Sequence, residues 1–283
     1  MDAPDYASVG AGAAMYRLEG PCMDDSKLVE KFVDDGFVRV DDAFPRDVAE
    51  ACREILWRES GCDPNDRTTW TRPVIRVGVR ADPPFLSVGK SRRLVEALDE
   101  ILGREAWVPL GGLGTFPIRF PSTENPGDTG WHIDVSYSLP EDDAGNFMHW
   151  RANVFSRGRG LLLLLLFSDV GPDDAPTRVR VGSHQMVARL LGRAGESGMR
   201  LEDLVASDFS GSGTCQIDEV VGAAGTAYLC HPFLVHSAQL HHGIQPRFMA
   251  QPPVLMHRSL ELMSSPAAST NAVERAIRTA LAG

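Results

Sequence analysis

The sequence predicts a mainly β fold with flanking helices, on three observations. Over residues 21–106 apolar residues recur mainly at helical spacing, with Gly36 and Gly103 as stops. After Trp107 the chain becomes a series of short apolar segments separated by Gly, Pro, Asp and Ser, the pattern of a sandwich or barrel. Near the middle stand six consecutive leucines, Leu161 to Leu166, followed by Phe167. That run is far shorter than the about 20 residues needed to cross a bilayer, so it reads as a buried strand.

The elements follow in order. Residues 1–20 are rich in Ala and Gly and are expected to be flexible. Leu28, Phe32 and Val33 share one face of a first helix that Gly36 ends. Phe37 to Val40 alternates apolar and basic as a short strand does. Pro45 opens a second helix with Val48, Cys52, Ile55 and Leu56 inward. Between Arg72 and Arg80 the period drops to two, with Ile75, Val77 and Val79 on one side. A third helix is expected at 91–102. Strands are expected near 108–110, 115–120, 132–137, 160–167, 178–181, 214–219, 226–230 and 247–254. Two insertions interrupt them: 140–158, acidic then basic, reads as a mobile loop, and 186–206 has a helical pattern. A last helix is expected at 271–281. No repeat or linker divides the chain, so 1–283 is expected to be one domain. Within it, 21–106 forms a mainly helical packing region, 107–256 the β core, and 257–283 a C-terminal segment and helix.

Composition narrows the function classes. Hydrophobic residues make up 43% and charged residues 23%, which excludes a disordered chain, a collagen and a coiled coil. Lys plus Arg is 28 against 38 Asp plus Glu, a net charge of −10 without basic runs, which argues against a nucleic-acid partner. The five cysteines, Cys22, Cys52, Cys62, Cys215 and Cys230, are odd in number and never form C-x-x-C. That usage fits a reduced, cytoplasmic setting rather than a disulfide framework or a structural zinc site. The N-terminus has neither a basic start nor an apolar core, so no signal peptide and no membrane anchoring are expected.

The chemistry-bearing residues fall in two places. In Trp131-His132-Ile133-Asp134, His132 and Asp134 are two apart and project to one face of a strand, where both can hold one cation. An imidazole and a carboxylate are two of the three ligands of a non-haem Fe(II) facial triad. An isolated H-x-D also occurs as a hydrogen-bonded pair in a surface turn. Nearer the C-terminus, His231, His236, His241 and His242 lie within twelve residues, half of the eight histidines. Arg247 stands eleven positions after His236 and opens an apolar strand, where a guanidinium is suited to grip a carboxylate bidentately. His231 would face away from His236, and His241 and His242 adjoin Gly243, so these three read as surface or supporting histidines.

Together these motifs resemble the phytanoyl-CoA dioxygenase-like family of Fe(II)- and 2-oxoglutarate-dependent oxygenases. The resemblance spans residues 28–254 and lies in the order of a helix, FVDDGFVRVDDAF, a helix, WHID, the Gly182-Ser183-His184 turn, and H-x10-R. It implies a double-stranded β-helix core, the jelly-roll or cupin-like fold. It implies His132, Asp134 and His236 as iron ligands and Arg247 as the anchor of the distal carboxylate of 2-oxoglutarate. It further implies a dioxygenase that oxidises a small-molecule substrate with dioxygen, releasing succinate and carbon dioxide. Halogenating relatives lack the carboxylate ligand, so Asp134 favours hydroxylation or another oxidation.

The departures from the family pattern are local. Val181 stands where members commonly have proline before the Gly-Ser-His turn. Ala238 occupies the position of a small hydroxyl residue that helps hold the cosubstrate, with Ser237 adjacent. Thr115 shares a strand face with Pro117 and Arg119 and is a candidate cosubstrate contact, or an ordinary β-branched strand residue. Tyr137 is a candidate substrate-pocket residue, or a core residue. Arg72, Arg76, Arg80, Arg92 and Arg93 put local positive charge in an acidic chain, available to a substrate anion or paired with Asp and Glu. Gly111-Gly112-Leu113-Gly114 lacks the lysine and setting of a phosphate loop, so nothing here marks a CoA substrate. Two other readings use the same residues: a non-catalytic jelly-roll binding protein, and a zinc hydrolase on His132, Asp134 and His236.

Overall fold

The computed structural model describes residues 25–263 and 271–283. The expected flexible segment 1–20 and Cys22 lie outside the described residues. The N-terminal region runs α1 (Asp25–Asp35), β1 (Phe37–Val40), α2 (Arg46–Ser60), β2 (Val74–Val77), α3 (Pro83–Gly89) and α4 (Arg92–Leu102). Then follow β3 (Phe116–Arg119), β4 (Arg151–Ala152), β5 (Arg159–Leu166), β6 (Arg178–Arg180), α5 (Ser183–Ala194), β7 (Met199–Arg200), α6 (Leu201–Ala206) and α7 (Asp208–Gly211). The chain ends with β8 (Ile217–Glu219), β9 (Ala227–Cys230), β10 (His236–Ser237), β11 (Met249–Ala250), β12 (Pro253–Leu255) and α8 (Ala272–Ala282).

Two antiparallel sheets carry the β region. The larger has the order β1-β9-β5-β11, with β12 continuing alongside β5. β3, which pairs with β2, joins its edge through a mutual backbone pair between Arg119 and Arg247 and a bond from Gln251 N–H to the Thr115 carbonyl. The smaller sheet is β10-β6-β8, extended by the segment around His132. Successive segments alternate between the sheets: β3 in the larger, His132 in the smaller, β5 in the larger, β6 and β8 in the smaller, then β9, β10 and β11. This alternation is consistent with a jelly-roll core.

The leucine run explains how the layers stack. Leu162, Leu164 and Leu166 pack with Tyr228, Cys230 and Met249 of the larger sheet and with Val179 of the smaller, filling the space between the sheets. Leu161, Leu163 and Leu165 face the other way, joining Leu229, Phe248 and Ala250 against helical residues such as Phe32, Leu94, Leu98 and Val273. A strand buried on both faces has no reason to alternate with polar residues. Each buried leucine contributes roughly 1.5–3 kcal/mol. Leu94, Ala97, Leu98, Ile101 and Leu102 form the buried stripe of α4, and α8 packs against α5, α1 and α4.

The structure departs from the sequence expectations in five places, the first being the strand expected at 132–137, which is reduced to isolated bridges at His132 and Tyr137. The helix α3 is additional, opened by two prolines after Asp82. The long helical insertion is two helices, because Gly195 and Gly198 take positive φ values after α5 and β7 intervenes before α6. The strand expected at 108–110 is reduced to a bond from Val108 N–H to the Leu255 carbonyl, 2.7 Å. The insertion 140–158, expected as a mobile loop, is stapled instead. Asp142 accepts from Arg151 Nε at 2.6 Å, from Arg200 Nε at 2.7 Å and from Leu139 N–H at 2.8 Å, and β4 pairs with β7. The two guanidiniums hold the Asp142 carboxyl well below the usual carboxylate range.

Candidate metal centre

His132 and His236 are brought together by backbone register. Each residue's N–H donates to the other's carbonyl at 2.9 Å, so the two are directly opposed and their side chains leave the sheet on one face. Their ring centroids are 4.3 Å apart. β10 also pairs His236 with Val179, whose side chain lies between the sheets, so His236 faces the space between them. Ser237 faces the other way, its hydroxyl accepting from Arg178 Nε at 3.2 Å. Around His132 burial alternates: Ile133, Val135 and Tyr137 are buried, while His132, Asp134 and Ser136 are half-exposed.

The two imidazoles are oriented in the same way. His132 Nδ1 lies 3.0 Å from the Gly130 carbonyl, and His236 Nδ1 lies 3.0 Å from the Leu234 carbonyl. A carbonyl only accepts, so Nδ1 carries the proton in both rings and Nε2 presents a lone pair. Burial, with His132 close by, pushes the His236 imidazole down to about 4, so it is neutral at neutral pH. Asp134 Oδ1 lies 4.0 Å from His236 Nε2, and Arg159 Nη1 binds Asp134 Oδ2 at 2.9 Å. One donor atom from each of His132, Asp134 and His236 lies within 4.8 Å of the others, a spacing that suits one metal ion. Among the described residues no other group of His, Cys, Asp and Glu does so.

The Gly-Ser-His turn supports this arrangement from behind. Gly182 takes φ +76°, and the Ser183 hydroxyl accepts from Val235 N–H at 2.9 Å, next to His236. His184 Nε2 donates to the Val33 carbonyl at 3.0 Å, and its ring lies 4.9 Å from that of His231. Gly36, at φ +85°, sits against that ring, where a Cβ would come within 2.9 Å of His184 Cγ. His231 and His241 are therefore buried rather than superficial, and only His242 of the three supporting histidines is exposed. The sequence showed the motif but not what its side chains hold.

Arg247 is almost wholly buried, 1% exposed. Along its strand it alternates onto the side of Met249, which packs between the sheets, while Phe248 packs outward. Its guanidinium donates to the Ala175 carbonyl and, at 3.5 Å, to the Pro117 carbonyl, and Nε has no partner. Among the described residues no carboxylate forms an ion pair with it. Burial, with Arg119 adjacent, pushes its pKa down to about 9. Thr115 lies on the face shared with Pro117 and Arg119 and is exposed, at the end of β3. Tyr137 lies on the buried side of its segment, away from the face of His132 and Asp134. Its hydroxyl donates to the Ser197 carbonyl at 3.0 Å and Arg157 covers its ring at 3.8 Å, so it braces the turn at Gly195–Ser197. Arg76, Arg80 and Arg92 are paired with Asp128, Asp82 and Glu96. Sequence reasoning missed Arg159, because nothing local links position 159 to Asp134.

Solved structures of similar fold include iron-bound and alpha-ketoglutarate-dependent proteins. HygX from Streptomyces hygroscopicus, with iron bound, superposes with a TM-score of 0.51 at 17% identity, over 81% of this chain and 85% of HygX. The epimerase SnoN, in complex with Fe3+, alpha-ketoglutarate and nogalamycin RO, gives 0.51 at 16% identity, over 82% of this chain and 83% of SnoN. SnoK, an alpha-ketoglutarate-dependent carbocyclase from nogalamycin biosynthesis, gives 0.50 at 16% identity, over 81% and 83%. The chain shares their fold. No protein-family model matches the sequence, and no curated protein matches it. Among the described residues no helix is long and apolar enough to cross a membrane.

Proposed function

We propose that this protein is a non-haem Fe(II)- and 2-oxoglutarate-dependent oxygenase that hydroxylates, or otherwise oxidises, a small organic molecule. The observation that carries the reading is the conjunction, inside one barrel, of a two-histidine, one-carboxylate cluster and a buried arginine without a carboxylate partner. The donor set suits Fe(II), since two neutral imidazoles and one carboxylate leave positions free for other ligands. The buried guanidinium suits the distal carboxylate of 2-oxoglutarate. HygX and SnoN, which share the fold, have been solved with 2-oxoglutarate or alpha-ketoglutarate bound. With iron in place, oxidative decarboxylation of 2-oxoglutarate by dioxygen would yield succinate and carbon dioxide and leave one oxygen atom for the substrate.

In this reading the chain's residues have distinct tasks. His132, Asp134 and His236 hold the metal, the histidines through Nε2. The Gly130 and Leu234 carbonyls fix both rings before any ligand arrives. Arg159 neutralises and orients Asp134 through the oxygen turned away from His236. Arg247 anchors the cosubstrate, and Thr115, exposed on the neighbouring strand, stands at the edge of that subsite. The core is a jelly roll, and the chain forms one domain around it. The narrower kinship with phytanoyl-CoA dioxygenase-like proteins rests on the sequence motifs.

Succinate formation tests the reading. Purified protein given Fe(II), 2-oxoglutarate and dioxygen is expected to release succinate even without its own substrate, and His132→Ala is expected to abolish it. No succinate and no 2-oxoglutarate binding would sink the oxygenase reading. Hydrolytic activity with zinc under anaerobic conditions would install the hydrolase in its place.

A further inference from the structure

Arg247 is not alone in its corner of the barrel. Arg119 sits directly opposite it across two backbone hydrogen bonds of 2.8 and 3.0 Å, so the two guanidinium stems leave the sheet side by side. Arg119 is only 2% exposed. Two buried like charges at facing positions repel, and a single carboxylate tempers them. Asp128 accepts two 2.8 Å bonds from Arg119 Nη2 and also pairs with exposed Arg76. Asp128 forms no ion pair with Arg247, so the buried pair retains an uncompensated positive charge. Both Nε atoms, of Arg119 and Arg247, are buried without a partner.

A third orphan lies beside them. His241 is 5% exposed, and its Nδ1 accepts from Gly243 N–H at 3.1 Å. That bond fixes the proton on Nε2, which is buried and makes no hydrogen bond of normal geometry, with the Gln245 backbone as a polar neighbour. The histidine turn and the arginine share one platform. Asp173 O accepts from the N–H groups of His242 and Gly243 at 2.8 and 2.7 Å, and two residues later Ala175 O accepts from Arg247. Asp174, between them, accepts from Gly171 N–H through Oδ2 at 2.8 Å, while its Oδ1 lies on the side of Gly243 and the His241 ring. Burial pushes the His241 imidazole down, the Asp174 carboxylate and the Gln245 backbone act against this, and the charges of Arg247 and Arg119, which lie nearby, add to it. Buried donors are paired in native proteins, so three unpaired N–H groups around an excess positive charge describe a site for an anion.

We propose that Arg119, Arg247 and His241 together form one carboxylate-binding subsite, with His241 as the neutral donor that Ala238 cannot supply. The inference rests on the oxygenase reading for the identity of the anion, the distal carboxylate of 2-oxoglutarate. Ser237 does not take the missing role, because its hydroxyl is turned to Arg178 on the opposite face.

The test is titration calorimetry on the nickel-loaded protein, with 2-oxoglutarate and with 2-oxovalerate, the same 2-oxo acid head without the distal carboxylate. Arg119→Gln and His241→Phe are each expected to raise the Kd for 2-oxoglutarate at least about tenfold, or about 1.4 kcal/mol. The Kd for 2-oxovalerate is expected to stay within about twofold. His241→Gln keeps a neutral N–H donor and is expected to recover most of the affinity, which a merely structural histidine would not require. If His241→Phe binds 2-oxoglutarate as the wild type does while Arg247→Gln does not, the three-residue subsite is overturned and the oxygenase reading stands. The subsite is likewise overturned if a variant loses both acids equally. If the wild type binds 2-oxovalerate and 2-oxoglutarate equally, or neither, the oxygenase reading of the site falls and takes the proposal with it.

Discussion

Replacing Arg247 with methionine should make the ligand-free protein more stable while destroying its response to 2-oxoglutarate. Burial and the neighbouring Arg119 push the Arg247 guanidinium down to about 9, more than three pH units below the ordinary arginine value. At about 1.4 kcal/mol for each pH unit, keeping this charge inside costs the fold about 4–5 kcal/mol as an upper bound. The folded protein gives up this proton above about pH 9 while the unfolded chain retains it, so stability rises with pH only there. At neutral pH the full cost applies. Methionine of similar length removes it but strands the Ala175 carbonyl, at about 1–3 kcal/mol, the 3.5 Å approach to the Pro117 carbonyl being too long to add much. The balance is a gain of at most about 1–4 kcal/mol, or roughly 2–8 °C in melting temperature for a chain of this size. Wild-type protein at a hundredfold excess of 2-oxoglutarate over Kd should gain about 2.7 kcal/mol, and Arg247→Met should gain none. Thermal melts of nickel-loaded protein with and without 2-oxoglutarate read both effects. A variant that melts below the wild type and still responds to 2-oxoglutarate would refute the account of Arg247 as an uncompensated cation awaiting a carboxylate.

Three further outcomes follow from the geometry. His132→Ala and His236→Ala should each cut bound Fe(II) or Ni(II) to background by metal analysis while leaving the far-ultraviolet circular dichroism unchanged; full metal occupancy in either would exclude that residue as a ligand. Gly36→Ala should lower stability by about 2–4 kcal/mol in urea, combining strain at positive φ with a collision against His184; a loss below about 0.5 kcal/mol would show that the turn yields freely. His184 is buried and its pKa is pushed down to about 4, so its neutral form is the one that folds. Between about pH 6.5 and 4 the unfolded chain takes up a proton that the fold refuses, which should remove up to about 3 kcal/mol as the pH falls, with His231 acting in the same direction. His184→Gln should flatten that slope in urea melts, and an unchanged slope would assign the acid sensitivity elsewhere.

Much of the fold was legible because its signals are local. The stripe of α4, the two-sided leucine strand and the glycine stop after α1 depend on neighbours within a few residues. So did the facing of His132 and Asp134, which needs only a period of two. Other features depend on partners distant in sequence. That β10 is a two-residue strand, and that its register sets His236 against His132, follows from a pairing between positions more than a hundred apart. The ordered insertion 140–158 depends on Asp142 reaching Arg200 across another helix, and its acidic composition alone resembles a solvated loop. Arg119 stood on the correct strand face in the sequence pattern, but its importance appears only once Arg247 is placed opposite it. Buried charge is the least legible property of all, since an arginine in a sequence reads as exposed until its strand is known to be enclosed.

The three donors of the candidate metal centre differ in how they are held. Both histidines are fixed by backbone alone: a mutual pair of main-chain bonds sets their separation, and a carbonyl two residues earlier sets each ring. Substitutions around them therefore leave their orientation intact as long as the β10 register survives, which Ser183 secures through Val235. Asp134 is held differently, half-exposed, with its carboxylate tied by the Arg159 side chain. A carboxylate bonded to arginine through one oxygen and facing a histidine with the other is presented to a metal through that single oxygen. Two rigid imidazoles and one carboxylate tethered by a side chain thus give the centre a fixed edge and one adjustable corner. In the proposed centre Asp134 is the one donor whose position depends on another side chain, so exchange of Arg159 is expected to shift its geometry while leaving the two histidines in place.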